Sequence, residues 1–183
     1  MALRSLWNKF RQQRSFFRTF SFRLITFATW IPVVITFNDF VAELITVNGP
    51  SMYPYLNAEK DQTTRRDVVL NFKYNAQDGL RRGMIVTFWN PYKPEVRTIK
   101  RIVGLPGDIV RTRSPYPVET VIVPEGHIWV EGDGPDRDTL DSNTFGPISA
   151  GLVIGKVTHI IWPLHRSGTV RWWEHAQKIR QRS

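Results

Sequence analysis

The chain has 183 residues, of which 42% are hydrophobic and 22% are charged, and it contains no cysteine. This composition supports one folded domain with an appendage, and the lack of cysteine excludes disulfides, thiolate metal sites and cysteine nucleophiles. The net charge of +9 resides at the two ends, because residues 39–164 are nearly neutral. A nucleic-acid binder normally carries its basic surface on the folded domain. The charge distribution therefore disfavours nucleic acid as a partner and favours a membrane or targeting role.

The N-terminal segment is basic and aromatic and leads into an apolar stretch. Residues 1–38 hold six basic residues and no acid, and residues 24–37 carry no charge. A membrane span needs about 20 residues, a length approached when Phe20–Phe22 is included and Arg23 reaches the membrane interface. We predict that residues 1–40 form a basic N-terminus and a transmembrane anchor in the lipid bilayer, with the basic end on the inner face. A cleaved presequence and a buried core helix are the alternatives, although no small-residue cleavage site follows.

Beyond this segment the sequence alternates short apolar runs with turn residues. Runs of this length, rich in β-branched and aromatic side chains, are typical of strands. No later stretch shows sustained helical periodicity. We predict a mainly β, mostly antiparallel domain over residues 41–165, closed as a barrel or a sandwich. The predicted strands are Val41–Val47, Asp67–Phe72, Met84–Phe88, Arg97–Val103, Ile109–Arg113, Thr120–Val123, His127–Val130, Leu152–Lys156 and His159–Trp162.

The C-terminal residues 166–183 are basic and are predicted to form a tail, either a short amphipathic helix or a loose segment. No metal or nucleotide motif occurs anywhere in the sequence. The four histidines lack the spacing of metal ligands, and the acidic run from Asp133 to Asp141 lacks the glycine and the final glutamate of a calcium loop. We therefore expect no cofactor and no metal.

Two residues stand in contexts that suit catalysis. Ser51 follows an apolar strand in a turn rich in glycine and proline, where a hydroxyl is exposed and flanked by backbone N–H groups. Lys100 lies inside an apolar strand, where burial can lower its pKa enough for it to act as a base. Taken singly, each residue also fits a plain role, as a turn serine and as a surface lysine on an edge strand.

Three sequence blocks in a fixed order resemble the type I signal peptidases, which use a serine–lysine dyad. The blocks are PSMYP, IKRIVGLPGDIV, and EGD followed by DSNTFGP. The chain is similar to the mitochondrial branch of that family in two further segments, VPEGHIWVEGD and GLVIGKVTHIIWP. The resemblance covers about residues 41–165 and implies a signal-peptidase-like β fold.

The resemblance also implies roles for individual residues. Ser51 matches the nucleophile and Lys100 the general base. Thr139 stands where bacterial members often have a serine whose hydroxyl steadies the lysine, and Asp141 matches a structural acid.

Substrate binding is expected close to the nucleophile. Met52 and Pro54 are expected to shape the substrate groove. Val41–Val47 is expected to be an open edge strand that pairs with an extended substrate.

The chain departs from the bacterial pattern at two positions. Gly49 stands where bacterial members have a hydroxyl residue of the oxyanion hole. The donor to the oxyanion that can be expected from the sequence is therefore the Ser51 backbone N–H. Asn143 replaces an arginine that pairs with the aspartate in bacterial members. We therefore expect Asp141 to cap a helix or to accept backbone N–H groups instead. The mitochondrial members share this asparagine.

The function implied by the resemblance is a membrane-bound serine endopeptidase of the mitochondrial inner membrane, with its catalytic domain in the intermembrane space. It would cleave sorting sequences from precursor proteins and work with a related catalytic subunit. A non-catalytic assembly subunit with a peptidase fold and a bacterial-type signal peptidase are alternatives. A self-cleaving regulator would need a DNA-binding helical domain, which residues 1–40 do not supply.

Overall fold

The computed structural model describes residues 23, 26–59, 66–135 and 139–175. The chain divides into two compact units, Met1–Phe40 and Val41–Ser183. In the first unit, residues 26–40 are helical (α1). Among the described residues, no helix has both the length and the apolarity that a bilayer crossing requires. Most of the basic residues of the predicted anchor fall outside the described part of the chain.

The second unit is built from antiparallel strands, which confirms the predicted mainly β class. A short helix, α2 (Ser142–Phe145), follows the seventh strand, and residues 172–175 are also helical. Ten strands are described: β1 (Ala42–Thr46), β2 (Val68–Phe72), β3 (Ile85–Trp89), β4 (Arg97–Gly104), β5 (Ile109–Arg111), β6 (Thr120–Ile122), β7 (His127–Glu131), β8 (Ile148–Ser149), β9 (Val153–Trp162) and β10 (Gly168–Thr169).

Eight of these strands form one sheet, and β5 and β6 form a separate two-stranded ribbon. The order in the sheet is β1-β2-β9-β3-β4-β7-β8, and β10 pairs with β9. The sequence prediction divided β9 into two strands, which is wrong. Val157 and Thr158, at the predicted break, are β-branched and carry no turn signal, so the strand continues through them. Its first half pairs with β3 and its second half with β2.

The sheet is packed on both faces. Ile85 and Val86 are adjacent on β3 and fully buried, yet they belong to different apolar clusters. Because successive side chains of a strand point to opposite faces, one cluster covers each face. The first cluster contains Met52 and Leu56 from the segment after β1, and so ties that segment to the sheet.

Candidate active site

Ser51 lies in a tightly folded segment between β1 and β2. The Tyr53 N–H donates to the Pro50 carbonyl at 2.9 Å, and the Leu56 N–H donates to the Met52 carbonyl at 2.8 Å. Leu56 is fully buried and Met52 is 1% exposed. Met52 therefore anchors the turn in the core, and the expectation that it shapes a substrate groove is wrong. Ser51 itself remains partly accessible.

Lys100 is a buried cation in the middle of β4. Its residue is 3% exposed, and it pairs across the strands with the fully buried Val86. Burial disfavours the ammonium form and lowers the pKa of Lys100 to about 8, although the negative charges of Asp141 and Asp133 act in the opposite direction. A lysine in this state supplies an appreciable neutral fraction near physiological pH, which an ordinary lysine does not.

The backbone at Gly132 lies against both Ser51 and Thr139. β4 pairs with β7 through Arg101 and Glu131, the residues that directly follow Lys100 and directly precede Gly132. A Cβ atom built on Gly132 would lie 2.5 Å from the Ser51 carbonyl oxygen and 2.4 Å from Cγ2 of Thr139. Only glycine permits this approach. The segment after β7 thus runs directly against the Ser51 turn and against Thr139.

Gly134 strengthens the same contact by a hydrogen bond. Its N–H donates to the Ser51 carbonyl at 3.0 Å, and a Cβ at this position would lie 2.6 Å from the Pro50 carbonyl oxygen. The Ser51 carbonyl is therefore fixed by a backbone donor, which also fixes the orientation of the turn. The sequence pattern singles out neither glycine, although both belong to the EGDGP segment.

Asp141 is the N-cap residue of α2, as expected from the loss of its arginine partner. One of its carboxylate oxygens accepts the Asn143 N–H at 3.0 Å, and the other accepts the Gly132 N–H at 3.0 Å. The buried carboxylate therefore holds the Gly132 backbone in place. Thr139 is half-buried beside it.

A partly buried ion pair that the sequence prediction missed joins β4 to the same segment. Arg101 Nε donates to Asp133 at 2.8 Å, and its guanidinium also donates to the Gly83 carbonyl at 2.8 Å. The guanidinium lies 4.7 Å from the centre of the Tyr55 ring. Asp133 belongs to the acidic run noted in the sequence. It is the ion-pair partner of Arg101, the residue next to Lys100. Residues 136–138 of that run fall outside the described structure.

β1 is an edge strand of the sheet, as predicted. It stands first in the strand order and pairs with β2. Leu44 in its centre is 59% exposed. Since β1 leads directly into the Ser51 turn, an extended peptide added to this edge would run toward the nucleophile candidate.

Comparisons with known proteins identify the family of the chain. The family model described as "Signal peptidase, peptidase S26" matches residues 20–116, just over half of the chain. The protein of Saccharomyces cerevisiae named mitochondrial inner membrane protease subunit 2 is 46% identical over 143 residues, 77% of this chain and 80% of its own length. The chain therefore belongs to the S26 signal peptidase family and is a signal-peptidase-like protease.

Within this family the similarity extends to the subunits of one mitochondrial enzyme. The Mus musculus protein named mitochondrial inner membrane protease subunit 2 is 44% identical and covers 81% of this chain and 80% of its own. The Homo sapiens protein named subunit 1 of that protease is 35% identical, covering 73% and 77%. The resemblance to the mitochondrial branch is thereby confirmed. A crystal structure of a signal peptidase I from Enterococcus faecalis V583 aligns with 44% of this chain and 98% of its own at 26% identity, with a TM-score of 0.38.

Proposed function

We propose that this chain is a serine endopeptidase that cleaves sorting sequences from proteins delivered to the mitochondrial intermembrane space. Ser51 is the nucleophile and Lys100 is the general base. The observation that carries the proposal is the buried Lys100, whose pKa is lowered to about 8 by burial. Its neighbour Arg101 pairs with Glu131, the residue before the Gly132 backbone that contacts Ser51.

The chemistry follows from the two side chains. Neutral Lys100 takes the proton of the Ser51 hydroxyl, the serine oxygen attacks the scissile carbonyl, and the leaving amine departs with a proton from the lysine. The resulting acyl-enzyme is hydrolysed by a water that Lys100 activates in the same way. The Ser51 N–H stabilises the developing oxyanion. Thr139 orients the lysine, and Asp141 holds the surrounding backbone.

The setting of the enzyme is inferred from the printed names of its relatives and from the basic, apolar N-terminus. Residues 1–40 form the anchor in the inner membrane. Residues 41–165 form the catalytic domain and residues 166–183 a basic tail that contributes β10 to its sheet, both in the intermembrane space. The edge of β1 binds the precursor in an extended form. A related protease subunit is the partner, because the relatives are named as subunits.

The proposal is tested in mitochondria that lack their own subunit 2 relative and express this chain or a variant. Ser51→Ala and Lys100→Arg should each leave precursors uncut, because guanidinium does not lose its proton and cannot serve as a base. The matched control Lys93→Arg, at an exposed position, should process normally. N-terminal proteomics detects uncut precursors directly, whatever their identity. Normal processing by either site variant would refute the dyad.

Topology is tested separately by adding protease to mitochondria with ruptured outer membranes. The catalytic domain should be degraded, since the basic N-terminus is retained on the matrix side. Full protection of the domain under these conditions would reverse the proposed orientation.

A further inference from the structure

Asn143 is the neighbour of Asp141, a buried carboxylate whose negative charge acts on Lys100. Asn143 is 5% exposed and Asp141 is 3% exposed. Asp141 accepts the backbone N–H of Asn143 at 3.0 Å and its side-chain amide at 3.1 Å. Among the described residues, no lysine or arginine forms an ion pair with Asp141. Its hydrogen bonds therefore come from neutral donors.

A second buried carboxylate shares the same amide. Glu131, the last residue of β7, is 6% exposed and accepts the Trp129 ring N–H at 2.9 Å. The same oxygen of Glu131 also accepts the Asn143 amide at 3.3 Å. One neutral NH₂ group thus bridges two carboxylates, an arrangement that is costly unless a cation lies close by.

Arg113 contacts this network through both its side chain and its backbone. Its guanidinium lies 3.3 Å from the second oxygen of Glu131, with a side chain that is 38% exposed against 7% for Glu131. Its backbone N–H donates to the Asn143 amide oxygen at 2.7 Å. Arg113 follows β5, the ribbon strand, so the cation comes from a part of the fold outside the main sheet.

We infer that Arg113 supplies, from the ribbon, the positive charge that Asn143 does not carry, and that it is a positioning residue for the base. Through Glu131 and Asn143 it holds Asp141, and Asp141 holds the backbone of Gly132, which follows Glu131, the residue that pairs with Arg101 next to Lys100. The inference rests on the proposed function.

The effect of Arg113 on Lys100 has a definite sign. The described charges that act on Lys100 are Asp141 and Asp133, and Asp133 is paired with Arg101. Arg113 is linked to Asp141 through Asn143, whose amide oxygen accepts the Arg113 backbone N–H and whose amide NH₂ donates to Asp141. Removal of Arg113 makes the surroundings of Lys100 more negative, which favours the ammonium form and raises the pH at which the enzyme becomes active.

The test measures cleavage rate against pH for full-length variants within their membrane complex. Arg113→Gln, which keeps a hydrogen-bond donor without the charge, should lower kcat roughly 10-fold, as expected for loss of a positioning contact. KM should stay nearly constant, and the acid limb of the pH profile should move to higher pH. Arg113→Lys, which keeps the charge, should retain the normal limb. Arg111→Gln is the matched control, because Arg111 lies exposed on β5.

A complementary variant removes the negative partner. Glu131→Gln should move the acid limb to lower pH, and the double variant Arg113→Gln/Glu131→Gln should return it toward the wild-type position. If Arg113→Gln does not fold, the Glu131→Gln variant tests the inference by itself. An acid limb of its pH profile at the wild-type position would overturn the inference.

Three further outcomes separate the inference from the proposed function. An unmoved limb in folded Arg113→Gln overturns the role of Arg113. Equal behaviour of Arg113→Lys and Arg113→Gln means that packing, and not charge, matters, which also overturns it. In both cases the wild-type enzyme would still cleave in a manner that depends on Ser51. Loss of that dependence on Ser51 would refute the proposed function itself.

Discussion

Replacing Lys100 with methionine should inactivate the protein and at the same time make it more stable. Lys100 is 3% exposed, and burial lowers its pKa from 10.5 to about 8. At pH 7 the folded protein therefore keeps a buried ammonium group at a cost of about 3 kcal/mol relative to the unfolded chain. Methionine has a similar length and no charge. Imperfect packing of the methionine offsets part of the gain from removing this cost, so Lys100→Met should raise the free energy of unfolding by roughly 1–3 kcal/mol.

The gain should depend on pH in a direction that is fixed by the lowered pKa. Below about pH 8 both folded and unfolded lysine are protonated, so the full cost is present. Between that pH and the unfolded value, the folded protein loses its proton first and the cost falls as pH rises. The stability difference between wild type and variant should therefore be about 2 kcal/mol smaller at pH 9.5 than at pH 7.

The assay is urea unfolding of the full-length proteins at both pH values, followed by tryptophan fluorescence. Lys93→Met, at an exposed position, serves as the control and should change stability little. Equal stability of wild type and Lys100→Met at both pH values would refute the claim that Lys100 is held in a desolvated, catalytically useful state.

Substitutions at two other positions test the surroundings of the dyad. Thr139→Ser should keep much of the activity, whereas Thr139→Val should lose roughly 10–1000-fold in kcat/KM, because it removes the hydroxyl and keeps the shape; equal activity of Thr139→Val and wild type in a precursor cleavage assay would remove Thr139 from the site. Gly132→Ala should lower kcat roughly 100-fold, since its Cβ would lie 2.5 Å from the Ser51 carbonyl oxygen. Gly151→Ala, whose Cβ would meet only a side-chain oxygen at 3.4 Å, is the matched control and should remain active.

Strand positions could be predicted from the sequence because each run is short, β-branched and bounded by a strong turn former. The same rule predicted two strands in place of β9, since it cannot show that one long strand pairs with different partners along its length. The two-residue strand Ile148–Ser149 was missed because it is too short to show a pattern.

Local context made Ser51 and Lys100 candidates, but the family motifs were needed to assign their roles, which stay a prediction. The contacts that hold them could not be predicted, because they depend on backbone approach and on distant side chains. Gly132 shows this most clearly, since a glycine in an acidic loop carries no signal of the two segments that pack against it. Arg113 likewise meets Glu131 only after the ribbon has folded back.

The pH dependence of precursor cleavage tests the serine–lysine mechanism most directly. Single-turnover rates of the full-length enzyme should rise with pH along an acid limb centred near the lowered pKa of Lys100, about 8, because the protonated lysine cannot accept the serine proton. Lys100→Arg should show no cleavage at any pH. A rate that stays constant from well below to well above that pKa, or substantial cleavage by Lys100→Arg, would contradict the assignment of Lys100 as the base.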